Sequence, residues 1–123
     1  MRLLLALLMV LHGAAHLPGF VNEWRLATLE GLQYRTTVLA GRLDLGDAGI
    51  RVVGTLWLAA AIAFFVTGIG AFGNTSWWIP AATGVTVGSL VLTLVELPES
   101  RMGLVVNLVL LAGLFIAARF AAV

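Results

Sequence analysis

Two histidines stand one helical turn apart in the stretch HGAAH, at His12 and His16, near the start of a strongly apolar chain. Residues three or four apart share a helix face, so Met9 lies on the same face as both imidazoles. Imidazole and thioether groups together suit a soft metal ion such as copper(I). Imidazole also exchanges protons near neutral pH and forms hydrogen bonds between packed helices. The pattern leaves three roles open: hydrogen-bonded packing, a metal site of His12, His16 and Met9, and proton or ligand handling.

The supply of ligands limits the metal hypothesis. The chain has two histidines and no cysteine. A bis-histidine haem needs ligands on opposite sides of the iron, which neighbours on one helix provide only with a second protomer. Hydrolytic zinc needs three protein ligands and an open position. The sequence therefore specifies no cofactor.

Three further polar residues lie in or beside apolar segments: Arg51, Glu96 and Asn107. A polar side chain that faces lipid has no hydrogen-bond partner, so such residues are expected to face the interior of a helix bundle. Their order along the chain places them at the same end of the bundle as the histidines. We predict one polar pocket at that end, and its ligand- or proton-handling residues are His12, His16, Glu96, Asn107 and Arg51. For Glu96 the alternative is contact with headgroup water or an ion pair with Arg101.

The composition places the chain in a membrane. Of the 123 residues, 61% are hydrophobic and 11% are charged, and the mean hydropathy is +1.06. Such a chain has too few polar side chains to cover a water-soluble globule. The net charge is only +1 and the arginines are scattered singly, which argues against nucleic acid as a partner. The expected partner is the lipid bilayer.

Four segments are long and apolar enough to cross a bilayer, which takes about 20 residues. They lie at about 3–21, 52–72, 77–97 and 102–123, and a long polar loop, 22–49, joins the first two. We therefore predict an all-α fold, an integral membrane four-helix bundle formed by a single domain over 1–123. Pro18 interrupts the first segment, so we expect a kinked helix that continues to about residue 21. The alternative is a cleaved signal peptide.

Two other features concern packing and the loop. Gly84 and Gly88 form a G-x-x-x-G pattern, which predicts close helix contact within a protomer or between two. Trp57 is expected to be a spacer or an interface anchor. The stretch NEWRLATLEGL, at the start of the polar loop, suits either a short helix in the membrane interface or an ordered loop.

The segments HGAAHLPGF and GTLWLAAAIAFF, the aromatic pair that opens the third span and Asn107 in the fourth resemble a group of small four-span bacterial membrane proteins of unknown function. Their shared opening is HGxxHLxGF, and the resemblance covers nearly the whole chain. It implies a location in the bacterial inner membrane, and it implies no activity.

Two functions remain open. The first is a non-enzymatic accessory or interaction subunit, in a homo-oligomer or a larger membrane complex, whose histidines and Asn107 specify helix packing. The second is a protein that handles a ligand, a metal ion or a proton inside the membrane and uses the histidine pair in the loop-side polar pocket. An enzyme is disfavoured because the sequence shows no set of nucleophile, base and orienting group.

Overall fold

The computed structural model describes residues 1–121. In chain order its elements are α1 (Arg2–Glu23), β1 (Thr37–Val38), β2 (Leu43–Asp44), α2 (Gly46–Phe72), α3 (Trp78–Val95) and α4 (Arg101–Ala121). All four helices are long and apolar enough to cross a membrane. The prediction of an all-α four-helix bundle is confirmed, and the chain is an integral membrane protein.

The helices follow one another around the bundle. α1 makes its most extensive contact with α2, α3 packs against both α2 and α4, and α4 closes back onto α1. Glycines allow the close approach of α1 and α2. A Cβ atom at Gly13 would lie 2.9 Å from the Phe64 Cβ, and one at Gly68 would lie 2.7 Å from Val10 Cγ2. Such close packing stabilises helix pairs in lipid, where the hydrophobic effect between helices is absent.

The G-x-x-x-G pattern of α3 lies on the outside of the bundle. A Cβ atom at Gly84 or Gly88 would meet no atom within 4 Å among the described residues. The prediction that these glycines pack within one protomer is therefore wrong, and the contact between two protomers stays a prediction. Thr86 and Ser89 are buried and point into the bundle. Gly84 and Gly88 lie on the opposite face of α3, which therefore faces lipid.

Both helices next to the long loop extend further than predicted. α1 runs through Pro18 as far as Glu23, and α2 begins at Gly46 rather than at residue 52. Ile50 is buried and Asp47 lies in the first turn of α2, where a carboxylate complements the helix dipole. This turn is amphipathic, so the helix begins before the apolar segment does. Residues 122–123 of the predicted fourth span lie outside the described residues.

The connection between α1 and α2, residues 24–45, is an ordered loop that ends in a β-hairpin. Residues 24–36 contain no helix, so the interfacial-helix alternative is wrong. In the hairpin Thr37 pairs with Asp44 and Val38 with Leu43. Val38 is buried, and the backbone N–H of Leu39 donates to the carbonyl oxygen of Val95 at 2.8 Å. The hairpin thus packs onto the end of α3 and covers the loop-side end of the bundle.

The core has two parts. A central cluster is formed by Leu5, Ala6, Met9, Phe64, Ala71, Trp78, Ala82, Leu110 and Leu114. A loop-side cluster is formed by Val38, Ile50, Val53 and Trp57. The His16 ring centroid lies 5.3 Å from that of Phe64 and 4.9 Å from that of Trp57. The second histidine of the pair therefore lies where the two clusters meet.

Candidate functional site

Four buried polar side chains from three helices form one hydrogen-bonded network. His12 Nε2 lies 2.9 Å from Asn107 Oδ1, and Asn107 Nδ2 donates to Ser89 Oγ at 3.0 Å. His16 Nε2 lies 2.6 Å from Ser89 Oγ, and His16 Nδ1 lies 2.6 Å from the backbone oxygen of His12. We call His12, His16, Ser89 and Asn107 the histidine network. It joins α1, α3 and α4 inside the bundle.

The acceptors determine which atom of each imidazole carries a proton. Amide and backbone carbonyl oxygens only accept, so His12 donates from Nε2 and His16 donates from Nδ1. His16 Nε2 then accepts from the Ser89 hydroxyl, which in turn accepts from the Asn107 amide. All four of these hydrogen bonds are made with both imidazoles neutral. The network therefore needs no ion to complete it.

The predicted metal ligands Met9, His12 and His16 lie in this region, and the Nε2 atoms of both histidines are engaged in the network. Met9 is fully buried, and its sulfur lies 3.7 Å from the Thr67 hydroxyl oxygen, whose single hydrogen has a closer acceptor in the carbonyl oxygen of Ala63 at 3.0 Å. The Nε2 atoms of His12 and His16 are held by Asn107 and Ser89. Within residues 1–121 no three His, Asp or Glu side chains are grouped as metal ligands. A metal ion bound at either Nε2 atom would have to displace a network hydrogen bond, and the metal hypothesis stays a prediction.

Arg51 and Glu96 lie apart from the histidines. Arg51 is exposed, and its guanidinium carbon lies 5.5 Å from the ring centroid of Trp24. Glu96 lies beside Trp57, whose indole N–H donates to Glu96 Oε1 at 3.5 Å. Trp57 in turn packs on the His16 ring. The predicted single pocket is therefore wrong: the structure brings His12, His16 and Asn107 together but places Glu96 across Trp57 from them.

Glu96 belongs instead to a cavity of about 810 Å³ at the loop-side end. Its wall is formed by the last turns of α1, the polar loop, the hairpin, Trp57 of α2 and the turn from α3 to α4. Its lining residues include Ala15, Pro18, Glu23, Arg35, Glu96 and Glu99. The cavity does not reach the histidine network, because none of the four network residues lines it.

A second carboxylate lies beside Glu96 in this wall. Glu23 is only 6% exposed, and its Oε2 atom is buried without a hydrogen-bond partner. Glu23 and Glu96 line the same cavity, and their carboxyl groups are close enough to interact. We call Glu23 and Glu96 the carboxylate pair. A buried carboxylate oxygen that lacks a partner is costly, and among residues 1–121 Glu23 Oε2 is the buried side-chain oxygen without a hydrogen bond.

No arginine neutralises the carboxylate pair. Across residues 1–121 the ion pairs are Arg35–Glu99 at 2.8 Å and Arg25–Asp47 at 3.7 Å. The ion pair predicted between Glu96 and Arg101 is not formed. Arg35 lines the cavity but is engaged by Glu99, and both side chains are about half exposed.

The hairpin that forms part of the cavity wall is held by a carboxylate outside the membrane. Asp44 accepts hydrogen bonds from the Gly46 backbone N–H at 2.9 Å and from the Thr36 hydroxyl at 2.7 Å. These two donors favour the charged carboxylate and lower the pKa of Asp44 below its ordinary value. The hairpin is thus fixed at its base by Asp44 and at its tip by Leu39.

Sequence reasoning missed Ser89, Trp57 and Glu23 as site residues. Glu23 was assigned to the exposed loop, although it lies seven residues after His16 and hence on the same helix face. That spacing was a signal for an inward-facing carboxylate. Ser89 lies on the buried face of α3 with Thr86 and Thr93, and only the packing of α3 against α1 shows which residue of this face meets His16.

No protein-family model, curated protein or solved structure matches this chain. The resemblance to four-span bacterial proteins with the HGxxHLxGF opening therefore stays a prediction, and function has to be argued from the geometry of the site.

Proposed function

We propose that this chain is a non-enzymatic membrane protein that binds a small molecule in the loop-side cavity. The observation that carries the proposal is the buried, unpartnered Glu23 carboxylate oxygen in the wall of a cavity of about 810 Å³. Ligand sites of small molecules have volumes of about 300–1,000 Å³ and few polar groups among apolar walls. The hairpin, held on α3, gives this cavity a fixed outer wall.

In this proposal the histidine network is structural. Its hydrogen bonds link three helices, and they are complete without a ligand. Buried polar groups that are hydrogen-bonded to one another favour one arrangement of helices, because rotation of a helix would break these bonds in a medium without water. The network thus supports the cavity by fixing α1 against α3 and α4.

The Ser89–His16 contact has the distance of a nucleophile and its base, yet its surroundings argue against catalysis. Ser89 is 1% exposed and His16 is 2% exposed. Neither lines the cavity, so a substrate in the cavity would not reach the hydroxyl. A nucleophile has to approach the reacting atom to about 3 Å.

A second candidate function is that of an accessory subunit in a homo-oligomer or larger complex of the bacterial inner membrane. The exposed Gly84 and Gly88 face of α3 supports it, because small residues allow another helix to approach closely in lipid. Native mass spectrometry in nanodiscs tests it. Gly88→Leu should convert a homo-oligomer to a monomer, and a monomeric wild type would contradict the homo-oligomer. The bacterial location rests on the sequence resemblance alone.

The cavity proposal is tested by filling the cavity from its edge. Ala15 and Ala14 are adjacent exposed residues of α1, and only Ala15 lines the cavity. Wild type, Ala15→Trp and the matched control Ala14→Trp are placed in nanodiscs and screened by thermal unfolding. The screen uses small molecules of cationic, neutral and anionic classes.

We expect at least one compound to raise the unfolding temperature of the wild type and of Ala14→Trp but not of Ala15→Trp, because bound ligand stabilises the folded state. The proposal is wrong if no compound of any charge class stabilises the wild type. It is equally wrong if Ala15→Trp responds as the wild type does.

A further inference from the structure

We infer that the ligand of the cavity is an organic cation, a protonated amine with an apolar body, whose ammonium group binds between Glu23 and Glu96. This inference rests on the proposed function and adds the chemical class of the ligand.

The first step is the charge of the cavity wall. Its ionisable residues are the carboxylates Glu23, Glu96 and Glu99 and the guanidinium of Arg35. Arg35 and Glu99 neutralise each other at 2.8 Å. The carboxylate pair is left without a cation from the wall, so the cavity favours a positive ligand and disfavours an anion.

The second step is hydrogen bonding. Glu23 Oε2 is buried without a donor, and the Glu96 carboxyl beside it receives only the long contact from Trp57 at 3.5 Å. Carboxylate oxygens only accept, so the two groups cannot satisfy each other when both are charged. An ammonium group carries three donors on one atom and can serve both carboxylates at once.

The third step is size and polarity, which favour an organic cation over a metal ion. The cavity of about 810 Å³ is far larger than a metal ion needs, and the described residues hold no group of three His, Asp or Glu ligands. Divalent cations such as Ca²⁺ take six to eight oxygen ligands. Two carboxylates on one side of a wide cavity suit a single ammonium group.

The fourth step is the apolar part of the wall, which lies beside the carboxylate pair together with polar residues such as Asn22 and Gln33. Three exposed apolar residues line the cavity: Ala15 and Pro18 of α1, and Pro98 in the turn from α3 to α4. Because Ala15 and Pro18 belong to a membrane-spanning helix, the cavity wall continues into the apolar surface of that helix. A ligand with a hydrocarbon body can therefore place this body along α1 while its ammonium group reaches the carboxylate pair.

The test compares three molecules of one shape and different charge: phenylbutylamine, phenylbutanol and phenylbutyrate. Binding at neutral pH is measured by isothermal titration calorimetry on the full chain in nanodiscs of zwitterionic lipid, with empty nanodiscs subtracted. The proteins are the wild type, Glu23→Gln, Glu96→Gln and Glu30→Gln. Glu30 is an exposed glutamate outside the cavity wall, so its variant is the matched control.

We expect the amine to bind the wild type more tightly than the alcohol or the acid. Each substitution in the carboxylate pair should weaken amine binding by about ten-fold to one-hundred-fold, the effect of losing one charged hydrogen bond. Glu30→Gln should leave it unchanged. If Glu23→Gln does not fold, the amine affinity of Glu96→Gln decides whether the ammonium group binds at the carboxylate pair.

Three outcomes would overturn the inference. If phenylbutanol binds as tightly as the amine, the cation requirement is wrong while a ligand-binding cavity stands. If the amine binds equally well to Glu23→Gln, Glu96→Gln and the wild type, its ammonium group does not lie between the two carboxylates. If none of the three molecules binds, the amine inference fails. The broader screen with Ala15→Trp then decides whether the cavity binds any small molecule.

Discussion

Removing one oxygen atom from the histidine network should destabilise the whole bundle. Ser89→Ala deletes the hydroxyl that donates to His16 Nε2 and accepts from Asn107 Nδ2. Alanine is almost as large as serine and leaves almost no cavity. The measured change in unfolding free energy therefore reports the loss of the hydroxyl's hydrogen bonds. It breaks contacts from α3 to both α1 and α4, and it leaves two buried polar atoms without partners in a region that lipid surrounds.

The magnitude follows from these two contacts. Hydrogen bonds between membrane helices contribute about 0.6 kcal/mol on average and at most about 1.7 kcal/mol. A buried polar atom left without a partner costs about 1–3 kcal/mol. The two estimates describe the same loss from different reference states and are not added. We expect Ser89→Ala to lower the free energy of unfolding by about 1–3 kcal/mol.

The measurement is a titration with a denaturing detergent in mixed micelles, followed by circular dichroism. The matched control is Thr86→Val, because Thr86 is also fully buried on α3 but its hydroxyl donates to Ala82 of its own helix. This control should cost less, since no contact between helices is lost. A double-mutant cycle of Ser89→Ala with Asn107→Ala should give a coupling energy of at least about 0.5 kcal/mol.

Two results would refute this reasoning. If Ser89→Ala costs no more than Thr86→Val, the network does not hold the helices together. If a chelator lowers the stability of the wild type and this effect disappears in His12→Ala, the histidines hold a metal ion and their hydrogen bonds are secondary.

Three further predictions concern packing, the carboxylate pair and the hairpin. Gly13→Ala should lower the free energy of unfolding by about 1–3 kcal/mol, because its Cβ would lie 2.9 Å from another Cβ atom. Gly84→Ala should cost nothing in the same titration, and equal losses would contradict the packing. Glu23→Gln should raise the unfolding free energy by about 1 kcal/mol, since an amide N–H can donate to the neighbouring carboxylate; a loss would mean that this carboxylate already has a partner. The contribution of Asp44 to the hairpin should be present above its ordinary pKa of 3.8 and be lost as the pH falls through its lowered pKa. An NMR titration of its carboxyl carbon measures this pKa, and a value at or above 3.8 would contradict the two hydrogen bonds.

The sequence was sufficient for the class of fold because hydropathy is a local property. About 20 consecutive apolar residues have to form a helix in lipid, since no other conformation of a single segment pairs every backbone N–H and C=O group. The four spans therefore followed from the order of residues alone. The inward orientation of His12, His16 and Asn107 followed from the cost of a polar group that faces lipid.

The boundaries of the helices were less predictable, because charge does not end a helix. α2 begins at Gly46, within the segment that hydropathy assigned to the polar loop. α1 continues to Glu23, an ionisable residue within the segment that hydropathy assigns to the polar loop. A helix extends beyond the apolar core wherever one of its faces stays buried, and burial is not visible in hydropathy.

Only the tertiary structure decided which polar residues share a site. The spacing within one helix relates His12 to His16, but it does not relate either residue to Ser89, Glu96 or Arg51 on other helices. Those relations depend on how far each helix is rotated about its axis and shifted along it. Close contacts such as Gly13 on Phe64 set both quantities for α1 and α2. As a result Trp57 lies between His16 and Glu96, and the polar residues that the sequence placed in one pocket form a closed network and a separate cavity.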